Sequence, residues 1–276
     1  YEEVHGLDTK DKHKTHRKFL FRLNKLLPDN CRPIIITDAG FRVPWFKEVD
    51  KLGWDWVGRI RNRNMVRAHE DDDWFDCKVL YASASSSPKY LGAMQLTRNT
   101  PYNCHFVLYK GKPKGRSKTT CHGERARGHN SEQCARRERE PWLLATSLPA
   151  TSKLAKRVVA LYSTRMQIEE SFRDVKSVRF GMGFELNLTR SRKRLQVLLL
   201  IAMIATFVLW VLGMAARRSQ QHWQYQANTV KDRHVLSAIY LGLRVAYDRR
   251  FEFALSEIRP VMHALHECVL KHGEGW

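Results

Sequence analysis

The sequence predicts an α/β protein whose core of sheet and helices is interrupted by a β-rich insertion and closed by carboxyl-terminal helices. Three observations carry that expectation. A helix, a short β-branched run and a second helix follow one another over residues 11–52; short strand-like runs between turn-rich stretches occupy about 53–142; and from about 152 onward the pattern is helical.

Residues 11–28 (DKHKTHRKFLFRLNKLLP) set Phe19, Leu20, Leu23, Leu26 and Leu27 on one stripe, an amphipathic helix that Pro28 stops. The run 33–37 (PIIIT) has the form of a strand buried on both faces, and it ends in Asp38-Ala39-Gly40. A polar residue at the carboxyl end of a buried strand stands where α/β sheets place their chemistry. A helix carrying Trp45, Phe46, Val49 and Leu52 comes next.

Strands are then predicted at 54–60, 90–96 and 103–109, with turn signals such as 83–88 (SASSSP). Residues 110–140 hold ten Lys and Arg against four Glu, with Gly and Pro among them, which predicts a mobile basic loop facing phosphates. A buried strand follows at 142–147 (WLLATS), then a long helix from about 152 to 178 and further helices at 193–216, 228–250 and 255–271. No internal repeat is visible. The expected division is 1–57 for the first part of the core, 58–140 for the β-rich insertion, 141–216 for the second part with a catalytic and a buried helix, and 217–276 for a helical region.

The stretch 197–212 (VLLLIAMIATFVLWVL) approaches the length that spans a bilayer, with Gly213 to Ala216 continuing it. Basic residues flank it on both sides, without the asymmetry that orients a spanning helix. A helix apolar all round also suits the centre of a large domain, so a buried core helix is expected and no membrane partner.

Across 276 residues, 48 Lys and Arg against 28 Asp and Glu leave a net charge of +20. A 43% hydrophobic chain can bury a sizeable core, so this charge sits on a folded surface rather than on a disordered basic tail. Such a field attracts polyanions, nucleic acid first. The cysteines at 31, 77, 104, 121, 134 and 268 include no C-x-x-C pair, so reduced thiols are expected rather than a disulfide framework, and Cys121-His122 with Cys134 fits a zinc module poorly. The opening YEEVH has neither an initiator Met nor an apolar run, which predicts no secretory signal and no natural start.

The chemistry concentrates on 161–176 (LYSTRMQIEESFRDVK). On a continuous helix, at about 100° per residue, Tyr162, Arg165, Glu169 and Lys176 fall within a sector of about 60°, and Arg173 joins them. Taken alone, this is also the pattern of an exposed helix laced with ion pairs. Together with a carboxylate at the end of a buried strand, it points to metal-assisted phosphodiester chemistry. Mg2+ takes hard oxygen ligands and keeps several waters. Two such ions about 4 Å apart activate a water or a 3′ hydroxyl and stabilise the leaving oxygen of an in-line displacement. Arg and Lys on the same face hold the scissile strand, and a tyrosine hydroxyl donates to a phosphate oxygen.

The spacing Y-x2-R-x3-E-x6-K at Tyr162, Arg165, Glu169 and Lys176 resembles the Tyr-Arg-Glu-Lys motif of insertion-sequence DDE transposases, the bacterial cut-and-paste group. The blocks 34–41 (IIITDAGF) and 165–170 (RMQIEE) are similar to those around that group's second and third acidic ligands. The resemblance runs over nearly the whole chain and implies a ribonuclease H-like core with a β insertion between Asp38 and Glu169. It implies that these two carboxylates are catalytic and bind Mg2+ (or Mn2+), and that Tyr162, Arg165 and Lys176 bind DNA, with Arg173 joining them by its place on the same helix face. It further implies hydrolysis at the ends of a mobile element, a DNA hairpin intermediate and strand transfer into target DNA, performed by a homodimer on double-stranded DNA in the bacterial cytoplasm, associated with the nucleoid. Trp142 matches an aromatic that stacks on a flipped base, and Met166 matches a position that helps displace it.

The family's first catalytic Asp lies on the first strand of its fold, and residues 1–37 offer only Asp8, Asp11 and Asp29, none on a predicted strand. The expectation is a carboxyl-terminal fragment with its first strands missing, inactive alone and prone to associate through an exposed sheet edge. The alternative is a non-enzymatic DNA-binding or interfering fragment. A membrane protein anchored through 197–216 and a generic ribonuclease H-like nuclease are weaker readings.

Overall fold

The computed structural model describes residues 13–61, 64–112, 128–129, 132–133, 139–248 and 254–274. Helix α1 (His13–Leu26) is followed by β1 (Ile34–Thr37), α2 (Val43–Asp50), β2 (Asp55–Ile60), β3 (Met65–Arg67), β4 (Phe75–Asp76), a 3-10 segment (Cys77–Ser83), β5 (Lys89–Leu96), β6 (Tyr102–Tyr109) and β7 (Trp142–Thr146). Then come α3 (Leu154–Thr164), α4 (Met166–Lys176), α5 (Arg192–Arg218), α6 (Ala238–Tyr247) and α7 (Leu255–Glu274). The chain divides into two compact units, Asp11–Arg165 and Met166–Trp276. Cys121, His122, Cys134 and most of the basic segment 110–140 lie outside the described residues.

In the first unit all seven strands join one sheet, in the order β1-β2-β7-β6-β5-β3-β4. Only β1 and β2 run parallel; every other pair is antiparallel. The strands between residues 58 and 140 therefore continue the same sheet that β1, β2 and β7 begin. One face carries α1 and α2 over Phe46, Trp56, Phe106, Leu108 and Leu143. Phe46 and Trp56 stack at 3.9 Å between ring centroids, both fully buried. Gly58 makes that stack possible, because a Cβ there would lie 2.6 Å from Phe46 Cζ. The other face carries α3, with Val158 and Tyr162 packed on Val57, Val107 and Leu144.

Two expectations for this unit change. Strand β1 is not buried on both faces: Ile34, Ile35 and Ile36 are half-buried and only Thr37 is buried, because β1 pairs with β2 alone at one end of the sheet. On α1, Leu20 is the buried member of the stripe; Leu23 and Leu27 pack partly, while Phe19 and Leu26 stay exposed.

The helix expected over 152–178 is two helices with a turn at Arg165. At the end of the first, Ser163 Oγ donates to Val159 O and Thr164 Oγ1 to Leu161 O, both at 2.7 Å, and Arg165 N donates to Tyr162 O, three residues back, which tightens the last turn. Tyr162 and Glu169 therefore stand on separate helices rather than on one.

In the second unit, α5 and α6 touch backbone to backbone. A Cβ at Gly213 would lie 1.8 Å from Ala238 O, and one at Gly242 would lie 1.9 Å from Leu209 O. Helix α5 is not the buried core helix expected: 22% of its most apolar window is buried. Small residues such as Ala202, Ala215 and Ala216 face its neighbours, while Ile201 and Phe207 remain 57% and 47% exposed. Among the described residues it is the one helix long and apolar enough to cross a membrane.

The helix expected at 228–250 begins only at Ala238. Gln226 holds the preceding loop instead, donating from Nε2 to Val230 O and Arg233 O and accepting from Val235 N, and Ser237 Oγ caps α6 by accepting from Tyr240 N.

Candidate functional site

The first unit gathers candidate residues at one end of its sheet. Asp38 follows directly on β1; it is exposed, and its Oδ1 accepts from Gly40 N at 2.8 Å while, among the described residues, Oδ2 accepts no hydrogen bond. An exposed carboxylate after a parallel strand is the kind of hard oxygen donor that Mg2+ takes.

β7 runs antiparallel to β2, so its first residue, Trp142, stands at the same sheet end as the carboxyl termini of β1 and β2. Trp142 is half-buried, packed edge-on against Tyr162 at 4.9 Å and tilted against Tyr109 at 5.7 Å. It both closes the sheet and keeps part of its ring at the surface. Tyr162 is 3% exposed, so its ring belongs to the core beneath α3. The Arg165 guanidinium lies 5.9 Å from that ring.

Two arginines at this sheet end stand outside the spacing that singled out the others. Arg61 donates from Nε to Glu140 at 2.6 Å. Arg59, two residues earlier, has Nε and Nη2 closed off from solvent without an acceptor. Nearby, burial above all pushes the Tyr81 hydroxyl up to about 12; Cys77 and Glu140 push the same way, against Arg59 and Arg61, so Tyr81 stays neutral. An arginine between Gly58 and Ile60 in the mostly apolar run 54–60 (WDWVGRI) was the signal available in the sequence.

In the second unit, Met166, Glu169, Arg173 and Lys176 sit at i, i+3, i+7 and i+10 along α4, which puts them on one face. Glu169, Arg173 and Lys176 are exposed, Met166 is half-buried, and Lys176 Nζ lies 5.2 Å from the Phe172 ring. Asp174 points the other way and is 5% exposed; Ser237 Oγ lies 3.5 Å from its Oδ1. Burial raises its carboxyl above the usual range, against the pull of Arg173 and Ser237. Among the described residues, no group of three or more His, Cys, Asp or Glu side chains is placed to hold a metal ion.

A family model described as transposase DDE domain matches residues 2–208. The chain belongs to that family. No curated protein matches the chain. Transposases of the DDE type act on DNA as nucleases and strand transferases and generally use a divalent metal. The mixed α/β architecture with its seven-stranded sheet is consistent with such a domain, and in this DDE domain the sheet end bearing Asp38, Trp142 and Tyr162 lies within the matched residues.

Proposed function

We propose that this DDE domain serves Mg2+- or Mn2+-dependent phosphodiester hydrolysis and strand transfer at insertion-sequence ends, on a ribonuclease H-like core, as a homodimer on double-stranded DNA in the bacterial cytoplasm, and that the chain by itself is inactive because Asp38 and Glu169 alone supply its metal ligands. The observation that carries the reading is the sheet end at which β1 delivers an exposed Asp38, with β2 between it and the strand that begins with Trp142.

Asp38 and Glu169 would hold the divalent ion, whose chemistry is to lower the pKa of a bound water or hydroxyl and to stabilise the leaving oxygen. The chain's own groups do the rest. Arg165, Arg173 and Lys176 are cations suited to non-bridging phosphate oxygens and fix the strand in register. The Tyr162 ring is committed to the core, so its part is to hold Trp142 edge-on and to offer its hydroxyl alone to a phosphate. A half-buried Trp142 presents a face on which an unstacked base gains about 1–3 kcal/mol, offsetting the few kcal/mol that flipping costs. Met166, half-buried at the start of α4, is the apolar group that displaces that base.

Replacing Mg2+ by Fe2+ with ascorbate and peroxide tests the reading without requiring turnover, because hydroxyl radicals cut the polypeptide next to the metal. Cuts near both residue 38 and residue 169, suppressed by excess Mg2+ and lost in Asp38→Asn and in Glu169→Gln, are expected. Cuts at neither position, with duplex DNA still bound, would favour the non-enzymatic DNA-binding alternative.

A further inference from the structure

Among the described residues, Arg59 Nε and Nη2 are buried without a hydrogen-bond partner. On β2 it stands opposite Leu144 of β7, and Leu144 packs with Val57, Val107 and Tyr162, so strand alternation turns Arg59 to the α3 face. The parallel register pairs Thr37 with Gly58; one step further along the same pairing sets Asp38 beside Arg59. A cation therefore rises through an apolar face next to the candidate metal ligand, on the face that carries Tyr162.

Its neighbours are satisfied and it is not. Arg61 has Glu140, and Arg67 on β3 donates from Nε to Gln95 Oε1 at 2.7 Å. For Arg59, Nε and Nη2 are shut away from water and meet no acceptor, and among the described residues it makes no salt bridge. The Tyr81 hydroxyl is itself buried without a hydrogen-bond partner, and Glu140 is bonded to Arg61. A buried donor left without a partner is destabilising, and more so when charged. Nε and Nη2 form one edge of the guanidinium, whose two parallel N–H bonds match two oxygens of a phosphate.

We propose that Arg59 is a phosphate-binding residue of the site, its Nε/Nη2 edge accepting the DNA phosphate that lies against Asp38. The inference rests on the reading that Asp38 marks the site where DNA is processed. The residue as a whole is half-buried, so rotation about its long side chain brings this edge out to the sheet end, where an anion exchanges an unsatisfied fork for a bidentate one.

The test uses the full 276-residue chain and a 30-base-pair duplex with free 3′ hydroxyls. Affinity is followed by fluorescence anisotropy across a salt series for the wild type, Arg59→Gln and Arg59→Lys. One lost phosphate contact lowers the magnitude of the log affinity against log salt slope by about 0.9 in Arg59→Gln, and Arg59→Lys restores it. The 15N-labelled Nε–H signal of Arg59, assigned by its absence from Arg59→Lys, shifts and exchanges more slowly when the duplex is added. Because the guanidinium has no partner in the free protein, Arg59→Gln melts at or above the wild-type temperature. An unchanged slope and an unmoved Nε–H signal with normal wild-type binding would overturn this proposal and leave the broader reading standing. So would a lower melting temperature of Arg59→Gln with its slope intact, since that assigns Arg59 to the fold. A wild type that binds no DNA would sink the broader reading itself.

Discussion

In the sheet unit the largest side chains are the innermost: Trp56, Phe46 and Phe106 are fully buried between the strands and helices α1 and α2. In the helical unit the order is reversed. Ala202, Gly213, Ala215 and Ala216 are buried where helices meet, while Val197, Ile201 and Ile204 on the same helix are more than half exposed. A pleated sheet presents a broad apolar surface that bulky side chains fill to interior density. Two helices that touch backbone to backbone leave room only for small residues, and the large ones are turned aside. The difference teaches that hydropathy alone does not say which residues are inside: the most apolar segment of the chain is among the least buried.

Truncating the sheet core sharpens the contrast most. Phe46→Ala removes a ring stacked at 3.9 Å on Trp56 and is expected to cost about 3–5 kcal/mol in urea unfolding followed by tryptophan fluorescence. A loss under about 1 kcal/mol would mean that the sheet unit does not depend on its large side chains.

Adding a single carbon to the helical unit comes second. Gly213→Ala sets a Cβ against the Ala238 carbonyl, a backbone atom that cannot step aside, and is expected to cost about 1–3 kcal/mol, read as a lower melting temperature of the helical signal. A neutral Gly213→Ala would break the comparison, since the close approach of α5 and α6 would then be immaterial.

The smallest effect is a pH dependence confined to the helical unit. His222 is 2% exposed, with its ring 4.3 Å from that of His234 and 4.4 Å from that of Trp223. Burial first, then the charges of His234 and Arg217, hold its pKa below the ordinary 6.5. The unfolded chain therefore takes up the proton more readily, so stability is full above about pH 6.5 and falls as the pH drops from there toward the folded-state value. Melting of the helical unit is expected to fall over that window in the wild type and to flatten in His222→Phe. Asp174, whose raised pKa acts in the opposite direction, is common to both variants.

The sequence by itself determined the kind of protein and most of its regular elements. The strands at Ile34–Thr37, Asp55–Ile60, Lys89–Leu96, Tyr102–Tyr109 and Trp142–Thr146 lie where β-branched and apolar runs placed them, because strand pattern is a local signal. The blocks around Asp38 and Glu169 pointed to a DDE transposase, and the family match over residues 2–208 agrees.

Tertiary structure decided the rest. That the strands of 58–140 extend the same sheet as β1 depends on pairings between residues far apart in the chain, such as Val107 with Leu144, which no local window contains. The turn at Arg165 divides the stretch carrying Tyr162 from the one carrying Glu169, a break that angular arithmetic on one ideal helix does not register. The exposure of α5 followed from which of its faces the glycines let another helix approach. That Arg59 lacks an acceptor was decided by the packing around its donors, because an unpaired buried charge is a property of surroundings and not of spacing.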